Sequence, residues 1–280
     1  MERNFLQLLK GRWPDSCACV GLDSDYRKLP ASLKEKGLSV HDTLLAFNGA
    51  IVNRTHDLVC AYKLQSSFYE AEGPEGIAAM VETVKFINDN FPDIAVISDA
   101  KRADIGNTND GYVSATFDRY NFDAMTLHPY LGIGALKPFL SRIEKGCIIL
   151  CRTSNDEARE FQDLIVQRGE TEMPLWQYVA HQVTEEWNTN DNCCMVAGAT
   201  YPGELAKIRE IAGDMPLLIP GIGAQGGDIE ATVKAGKNSQ GAGMIINNSR
   251  GITFASDGPD FAEVARAKTI EFRDAINLYR

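Results

Sequence analysis

The sequence contains no long hydrophobic run, and this absence excludes several classes of protein. No apolar stretch among its 280 residues approaches the length of roughly eighteen residues that a membrane span requires. Residues 1–14 lack the continuous apolar core of a signal peptide, although Phe5 and Leu9 suit one face of a short helix. We therefore expect a cytoplasmic protein that makes no contact with membranes.

Signals for cysteine pairing are also missing. The seven cysteines form no CxxC pair, and their odd number argues against a disulfide framework. Most of them lie in apolar runs that are typical of strands, so we expect buried thiols in a reducing compartment.

Basic clusters and metal-ligand spacings are absent as well. The net charge is -10, and no Lys/Arg block is interleaved with aromatic residues, so nucleic acid is not an expected partner. An anionic ligand would have to be held by a few local cations. His, Asp and Glu show no ligand spacing beyond Asp23 and Asp25, whose DxD pattern alone is a weak signal, and no metal is expected.

The sequence does contain a regular alternation of short apolar strands with longer amphipathic helices. The predicted strands are 17–22, 58–62, 94–98, 122–127, 147–151, 193–197, 217–219 and 244–246. Eight such units without a linker or a change of composition predict a single (β/α)8 TIM barrel over residues 1–280, with a short helix before the first strand. A doubly wound parallel sheet is the alternative, because periodicity alone does not prove closure of the barrel.

Polar and charged residues follow these apolar strands. Barrel enzymes place their chemistry at the carboxyl ends of the strands, which makes these residues the candidates for a site. They are Asp23, Lys63, Asp99 with Lys101, His128, Ser154, Gln225 and Arg250. For His128, which precedes Pro129, we favour a simple hydrogen bond within its loop.

The stretch from Ile97 to Thr108 holds the densest group of charges. In an extended strand end, residues i and i+2 point the same way, so Asp99 and Lys101 should emerge side by side. We expect Lys63 to pair with Asp99, and Lys101 to lie between Asp99 and Asp104. Such pairing can hold a lysine as an ammonium that is ready to donate a proton. The alternative is a solvated loop.

The glycine-rich turn after the seventh strand predicts a phosphate site. Gly221-Ile-Gly-Ala-Gln-Gly226 fits GxGxxG, but no acidic residue ends a strand about twenty positions later to hold a ribose, as a dinucleotide site requires. Barrels commonly bind phosphate with the loops after strands seven and eight, and Arg250 would add its fork of donors there. The alternative is that the glycines serve only a tight turn.

Together these elements resemble one enzyme family. Asp99-x-Lys101-x-x-Asp104-Ile-Gly-Asn-Thr108 is similar to the signature of orotidine 5'-phosphate decarboxylases. The other matching elements, in the family's order, are Gly21-Leu-Asp23, Lys63, Thr153-Ser-Asn155, Pro220-Gly-Ile-Gly-Ala-Gln225-Gly-Gly and Arg250. The likeness is closest to the longer branch, which carries the TSN and PGIGAQGG elements.

The resemblance implies a homodimer with shared active sites that converts orotidine 5'-phosphate to UMP and CO2, the final step of de novo pyrimidine nucleotide synthesis. It implies neither a metal nor an organic cofactor. By this similarity Lys101 protonates C6 of the pyrimidine, while Lys63 and Asp99 hold the ribose and the charge network. Asp104 and Thr108 would reach into the partner subunit's site.

The resemblance also assigns substrate contacts. Asp23 would accept from a ribose hydroxyl, and Ser154 would read the pyrimidine edge. The phosphate would be bound by Gly223, Gln225 and Arg250, and Ile105 and Pro220 complete the expected substrate-binding set.

Several expectations remain open at this stage. The polar segment 155–173 has room for a short helix, and its geometry as a lid is not defined. The starting Met1 and the complete predicted barrel favour a free-standing enzyme. Two competitors remain: a metal-dependent sugar-phosphate lyase or epimerase on the same barrel, and a nucleotide-binding protein without catalysis.

Overall fold

A computed structural model describes residues 3–222 and 226–280, and its centre is a closed barrel of parallel strands. The barrel strands are Ala18–Gly21 (β1), Ala61–Gln65 (β2), Ala95–Arg102 (β3), Ala124–Leu127 (β4), Gly146–Arg152 (β5), Cys193–Ala197 (β8), Leu217–Ile219 (β9) and Met244–Asn248 (β10). Their order around the barrel is β1-β10-β9-β8-β5-β4-β3-β2. Because β1 pairs with both β2 and β10, the sheet has no edge. The predicted TIM barrel is confirmed, and the doubly wound sheet is wrong.

The strands are buried along most of their length, as expected for a parallel sheet covered by helices. All four residues of β1 and all five of β8 are buried. The seven cysteines are all buried and unpaired, which confirms the prediction of buried thiols.

Helices connect the barrel strands and pack around them. The α-helices are Phe5–Arg12 (α1), Ala31–Lys34 (α2), Val40–Thr55 (α3), Ser66–Glu70 (α4), Gly73–Asn90 (α5), Asn107–Val113 (α6), Ile133–Leu140 (α7), Arg159–Gln162 (α8), Leu175–His181 (α9), Pro202–Ala212 (α10), Ile229–Gly236 (α11), Arg250–Thr253 (α12) and Phe261–Tyr279 (α13). Short 3-10 turns are Tyr26–Lys28, His56–Leu58 and Asp156–Ala158; π-helical turns Ser114–Arg119 and Gln182–Trp187 extend α6 and α9. Asp228 caps α11 as predicted, because its Oδ1 accepts from the Ala231 N–H at 2.7 Å.

The short helix α1 packs at the amino-terminal end of the barrel. Phe5 and Leu9 are buried, and the Phe5 ring lies so close to Gly146 at the start of β5 that a Cβ there would clash with it. Beyond the helix, the Trp13 indole donates to the carbonyl of Met244 at the start of β10. These contacts leave the opposite, carboxyl end of the barrel for the functional site.

Strands β2 and β3 extend three and four residues beyond their predicted ends, further than the other barrel strands. Lys63 lies inside β2 rather than after it, and β3 continues through Asp99 and Lys101. Charged residues obscure the ends of both strands in the sequence. Lys63 and Asp99 can be buried because they pair with each other across these two neighbouring strands.

The segment 155–173 contains more structure than the expected short helix. After α8 the chain forms an antiparallel hairpin of Ile165–Arg168 (β6) and Thr171–Pro174 (β7), which pairs with no barrel strand. The hairpin strands are mostly exposed and contain no apolar run, so the sequence held no strong signal for them.

No helix in the described ranges 3–222 and 226–280 is both long and apolar enough to cross a membrane.

Candidate active site

A cavity of about 560 Å³ opens at the carboxyl end of the barrel. Its volume lies in the range of small-molecule sites, roughly 300 to 1,000 Å³. It brings together most of the predicted site residues: Asp23, Lys63, Asp99, Lys101, Ser154, Pro220 and Arg250. The structure therefore brings these residues together around one cavity.

A chain of alternating charges crosses the floor of the cavity. Lys63 Nζ lies 2.8 Å from Asp99 Oδ2 and 3.3 Å from Asp23 Oδ1, and Lys101 Nζ lies 2.6 Å from Asp99 Oδ1. Lys63 and Asp99 are almost fully buried, whereas 45% of the Lys101 side chain remains exposed. Of the two lysines in this chain of charges, Lys101 is therefore the more accessible from the cavity.

Two members of the charge chain, Lys63 and Asp99, are held firmly in their charged forms. Burial on its own lowers the pKa of Lys63, but the attraction of Asp23 and Asp99 is stronger, and the resulting pKa lies well above that of a free lysine. Burial likewise acts to raise the pKa of Asp99, but Lys63 and Lys101 outweigh it and hold that pKa well below its ordinary value. The two groups therefore remain charged at neutral pH.

The backbone at Lys101 departs from regular strand geometry. Its φ of 49° is in the left-handed region, which residues with a side chain rarely adopt, and the pairing of β3 with β4 shifts register between Ser98 and Arg102. Simple alternation along an extended strand is therefore not what brings Lys101 next to Asp99, and that prediction is wrong. An irregular turn of the backbone does so.

Apolar side chains form the opposite wall of the cavity. Leu150, Val196 and Leu218 come from β5, β8 and β9, and Ile222 follows β9. In the closed strand order β8 and β9 lie three or four places from β2 and β3, and therefore across the barrel from the charges. A slot with one apolar and one charged wall suits a planar polar ring.

The loop carrying Ser154 is held in place by buried polar contacts. Gln162 accepts from the Thr153 N–H at 3.0 Å and donates to the Thr153 hydroxyl at 2.7 Å. The Arg152 side chain, 1% exposed, pairs with Glu204 at 2.5 Å and so ties the loop to α10. Ser154 therefore presents its side chain from a fixed base.

The predicted phosphate end lies between β1, β9 and β10. Arg250 begins α12, is exposed and lines the cavity. A Cβ on Gly21 would fall 1.8 Å from Ser249 Oγ, so only glycine lets β1 approach the residue that precedes Arg250. The Gly227 N–H donates to the Gly221 carbonyl at 3.0 Å and closes the base of the glycine loop. The predicted phosphate ligands Gly223 and Gln225 lie outside the described residues.

Three predicted site residues do not line this cavity. Asp104 accepts from the Ile105 N–H at 2.7 Å, and the Ile105 side chain is 66% exposed. Thr108 is exposed in the first turn of α6. No ion pair or hydrogen bond joins Lys101 to Asp104 within the part of the chain that the structure describes, so the expected pairing of Lys101 with two aspartates is not found within one chain.

Other polar residues in the cavity were not predicted. Thr126 and Asn247 lie in the otherwise apolar strands β4 and β10. Their polarity within these strands was the one signal in the sequence that could have marked them as site residues. Gln162 comes from the segment that lacked any pattern.

His128 behaves as interpreted, because its Nε2 lies 3.0 Å from the Ala103 carbonyl in the neighbouring loop. Asp25 does not line the cavity and pairs with Arg27 at 2.9 Å.

Among residues 3–222 and 226–280, no cluster of three or more His, Cys, Asp or Glu side chains has the geometry of a metal site.

The fold and the cavity define a class. A TIM barrel with a buried lysine–aspartate chain on one wall and an arginine beside a glycine loop has the architecture of an enzyme for a phosphorylated small molecule.

Comparison with known proteins identifies the family within that class. Residues 18–265 match the family described as Orotidine 5'-phosphate decarboxylase / HUMPS family, and the chain belongs to this enzyme family. A Cellvibrio japonicus protein named orotidine 5'-phosphate decarboxylase is 46% identical over 279 residues, which cover 99% of each chain.

Solved structures agree with this assignment. The OMP decarboxylase of Leishmania donovani has a TM-score of 0.84 and 33% identity over 99% of this chain and 98% of its own. The UMP synthase of Leishmania donovani has a TM-score of 0.86 and 35% identity over 99% of this chain, which spans 56% of that longer protein.

Proposed function

We propose that this protein decarboxylates orotidine 5'-phosphate to UMP and CO2, as the names of its relatives indicate for them. The observation that carries the proposal is the continuous chain of Asp23, Lys63, Asp99 and Lys101 at the cavity floor. It presents one accessible ammonium beside a carboxylate that stays ionised. A decarboxylase of this substrate needs such a cation at the carbon that loses CO2.

The chemical difficulty is a carbanion on a ring carbon whose electron pair lies in the ring plane. When the bond from C6 to the carboxylate breaks, CO2 leaves and the electron pair remains on C6. The Lys101 ammonium stabilises that developing charge and transfers a proton to it, and solvent then restores the lysine proton. A preorganised cation is worth far more in a site closed to water than in bulk solvent.

The remaining cavity residues hold the rest of the nucleotide. Lys63 and Asp23 face the ribose hydroxyls, and Ser154 contacts the pyrimidine edge from its anchored loop. Arg250 binds the phosphate together with Gly223 and Gln225. Binding at the phosphate, away from the reacting carbon, contributes free energy for closing the site over the ring. In this mechanism the side chains act without a metal or an organic cofactor.

The proposal includes a homodimer with shared sites in the cytoplasm. Asp104, Ile105 and Thr108 lie outside the cavity of their own chain, and Ile105 and Thr108 are exposed. Exposed apolar side chains are also present nearby on the β4 loop, where Tyr130 is 74% exposed. In the dimer, Asp104 of one subunit would approach Lys101 of the other and complete the alternation of charge.

One assay tests the proposed function against both competitors. The ultraviolet absorbance of orotidine 5'-phosphate is followed over time with purified protein, with and without a chelator. We expect a steady change that the chelator does not alter. Loss of turnover in chelator would favour a metal-dependent lyase, and UMP binding without any turnover would favour a binding protein.

A further inference from the structure

The hydroxyl group of Thr126 connects the two most important groups of the site. Thr126 lies in β4 and is 1% exposed. Its Oγ1 accepts a hydrogen bond from the Lys101 N–H at 2.9 Å and donates one to Asp99 Oδ1 at 3.0 Å. The direction of the second bond is defined, because an ionised carboxylate only accepts.

These two hydrogen bonds coincide with the backbone irregularity in β3. Lys101 has its left-handed φ at the place where β3 and β4 lose their regular pairing. The Lys101 N–H therefore finds its partner in a side chain of β4 rather than in a backbone carbonyl. Leaving this partly buried N–H without a partner would cost free energy, so the threonine hydroxyl stabilises the unusual turn directly.

The same hydroxyl also orients the carboxylate. Asp99 Oδ1 accepts from both Thr126 Oγ1 and Lys101 Nζ, the latter at 2.6 Å, while Oδ2 pairs with Lys63 at 2.8 Å. With both oxygens engaged, the carboxylate has one orientation. The hydroxyl thus fixes both the backbone conformation of Lys101 and the orientation of the Asp99 carboxylate that pairs with the lysine ammonium.

We propose that Thr126 is a positioning residue for catalysis, which holds Lys101 and Asp99 in the geometry required for proton transfer to substrate. This role rests on the proposed decarboxylase function. Thr126 acts through these two residues and needs no contact of its own with the reacting atoms.

The test compares three substitutions with the wild-type protein. Thr126→Val keeps the shape and removes the hydroxyl, whereas Thr126→Ser keeps the hydroxyl. Thr269→Val, which removes an equally buried hydroxyl from the distant helix α13, is the matched control. For each protein we would measure kcat with orotidine 5'-phosphate, the dissociation constant of UMP and the melting temperature.

We expect Thr126→Val to lower kcat by about 10- to 100-fold, the effect of losing one hydrogen bond to a charged group. UMP binding should change much less, since Arg250 and Ser154 are untouched. Thr126→Ser should retain most of the wild-type kcat, and Thr269→Val should retain all of it. If Thr126→Val does not fold, Thr126→Cys takes its place, and the kcat of Thr126→Cys should then be lower than that of Thr126→Ser.

A wild-type kcat in Thr126→Val would overturn the role of Thr126, and so would an equal loss of kcat in Thr126→Ser. A fall in UMP affinity as large as the fall in kcat would also do so, because it would indicate general damage to the site. Absence of turnover in the wild-type protein would instead refute the decarboxylase function on which this role depends.

Discussion

Two buried cations at opposite ends of the barrel have different surroundings. Lys63, at the carboxyl end, is 3% exposed and pairs with two carboxylates. Arg209, in α10, is 9% exposed and donates to four backbone carbonyls, at distances from 2.7 to 2.8 Å. These carbonyls belong to Gly213, Met215, Gly236 and Gly243, at helix ends and just before β9 and β10.

The pKa values of the two cations shift in opposite directions. Burial lowers the pKa of Arg209 to about 10, because carbonyl dipoles do not replace a full counter-charge. For Lys63 the two carboxylates outweigh burial and raise the pKa. Burial alone therefore does not mark a functional cation. A buried cation matched by carboxylates inside a cavity marks the site, whereas one matched by carbonyls between elements holds the scaffold together.

The largest expected effect is the loss of activity on replacing the accessible cation of the charge chain. Lys101→Ala should reduce turnover of orotidine 5'-phosphate by about a thousandfold or more, since it removes the proposed proton donor and its stabilising charge. UMP should still bind, which calorimetry would measure. Lys137→Ala, on the exposed face of α7, is the matched control. Appreciable turnover without Lys101 would assign proton transfer to another group.

A second subunit should complete the charge chain, and mixing two inactive variants would reveal it. Lys101→Ala and Asp104→Ala proteins should each be inactive, yet an exchanged mixture should recover about a quarter of wild-type activity, because half of the dimers have one intact site. Activity would be assayed before and after subunit exchange. Exchange that is complete by mass spectrometry without any recovery would rule out shared sites.

Replacing the other buried cation should affect stability rather than chemistry. Arg209→Met leaves several carbonyls without donors and should lower the free energy of unfolding by about 2–4 kcal/mol. Chemical denaturation would measure this loss, and kcat per folded molecule should stay near the wild-type value. A large fall in kcat with unchanged stability would contradict the contrast between the two ends of the barrel.

The smallest expected effect is that of pH on the charge chain. The lowered pKa of Asp99 stabilises the fold above about pH 4, and this contribution is lost only as the pH falls through the still lower folded pKa. The raised pKa of Lys63 stabilises the fold below about pH 10 and is lost only above that. The Lys63–Asp99 pair should therefore contribute a constant amount to stability from about pH 5 to 9. Denaturation of wild type and Lys63→Met at several pH values would measure it, and a difference that changes across this window would contradict the assigned charges.

Much of the fold could be predicted because its signals are local. Apolar strands alternate with amphipathic helices along the chain, and Asp228 precedes a helix in the usual way for a cap. The hairpin β6–β7 was missed because its exposed strands carry no hydrophobic pattern. The ends of β2 and β3 were placed too early because Lys63 and Asp99 are charged, and charges in a strand are stable only with partners from other strands.

The sequence by itself determined the barrel class and the set of charged residues at the strand ends, because hydrophobic periodicity and residue order are written along the chain. The tertiary structure alone decided how those charges are used. The left-handed turn at Lys101, its support by Thr126 and the opposite environments of Lys63 and Arg209 all depend on groups far apart in sequence. Ionisation and orientation are set by such neighbours, and only folding brings them together.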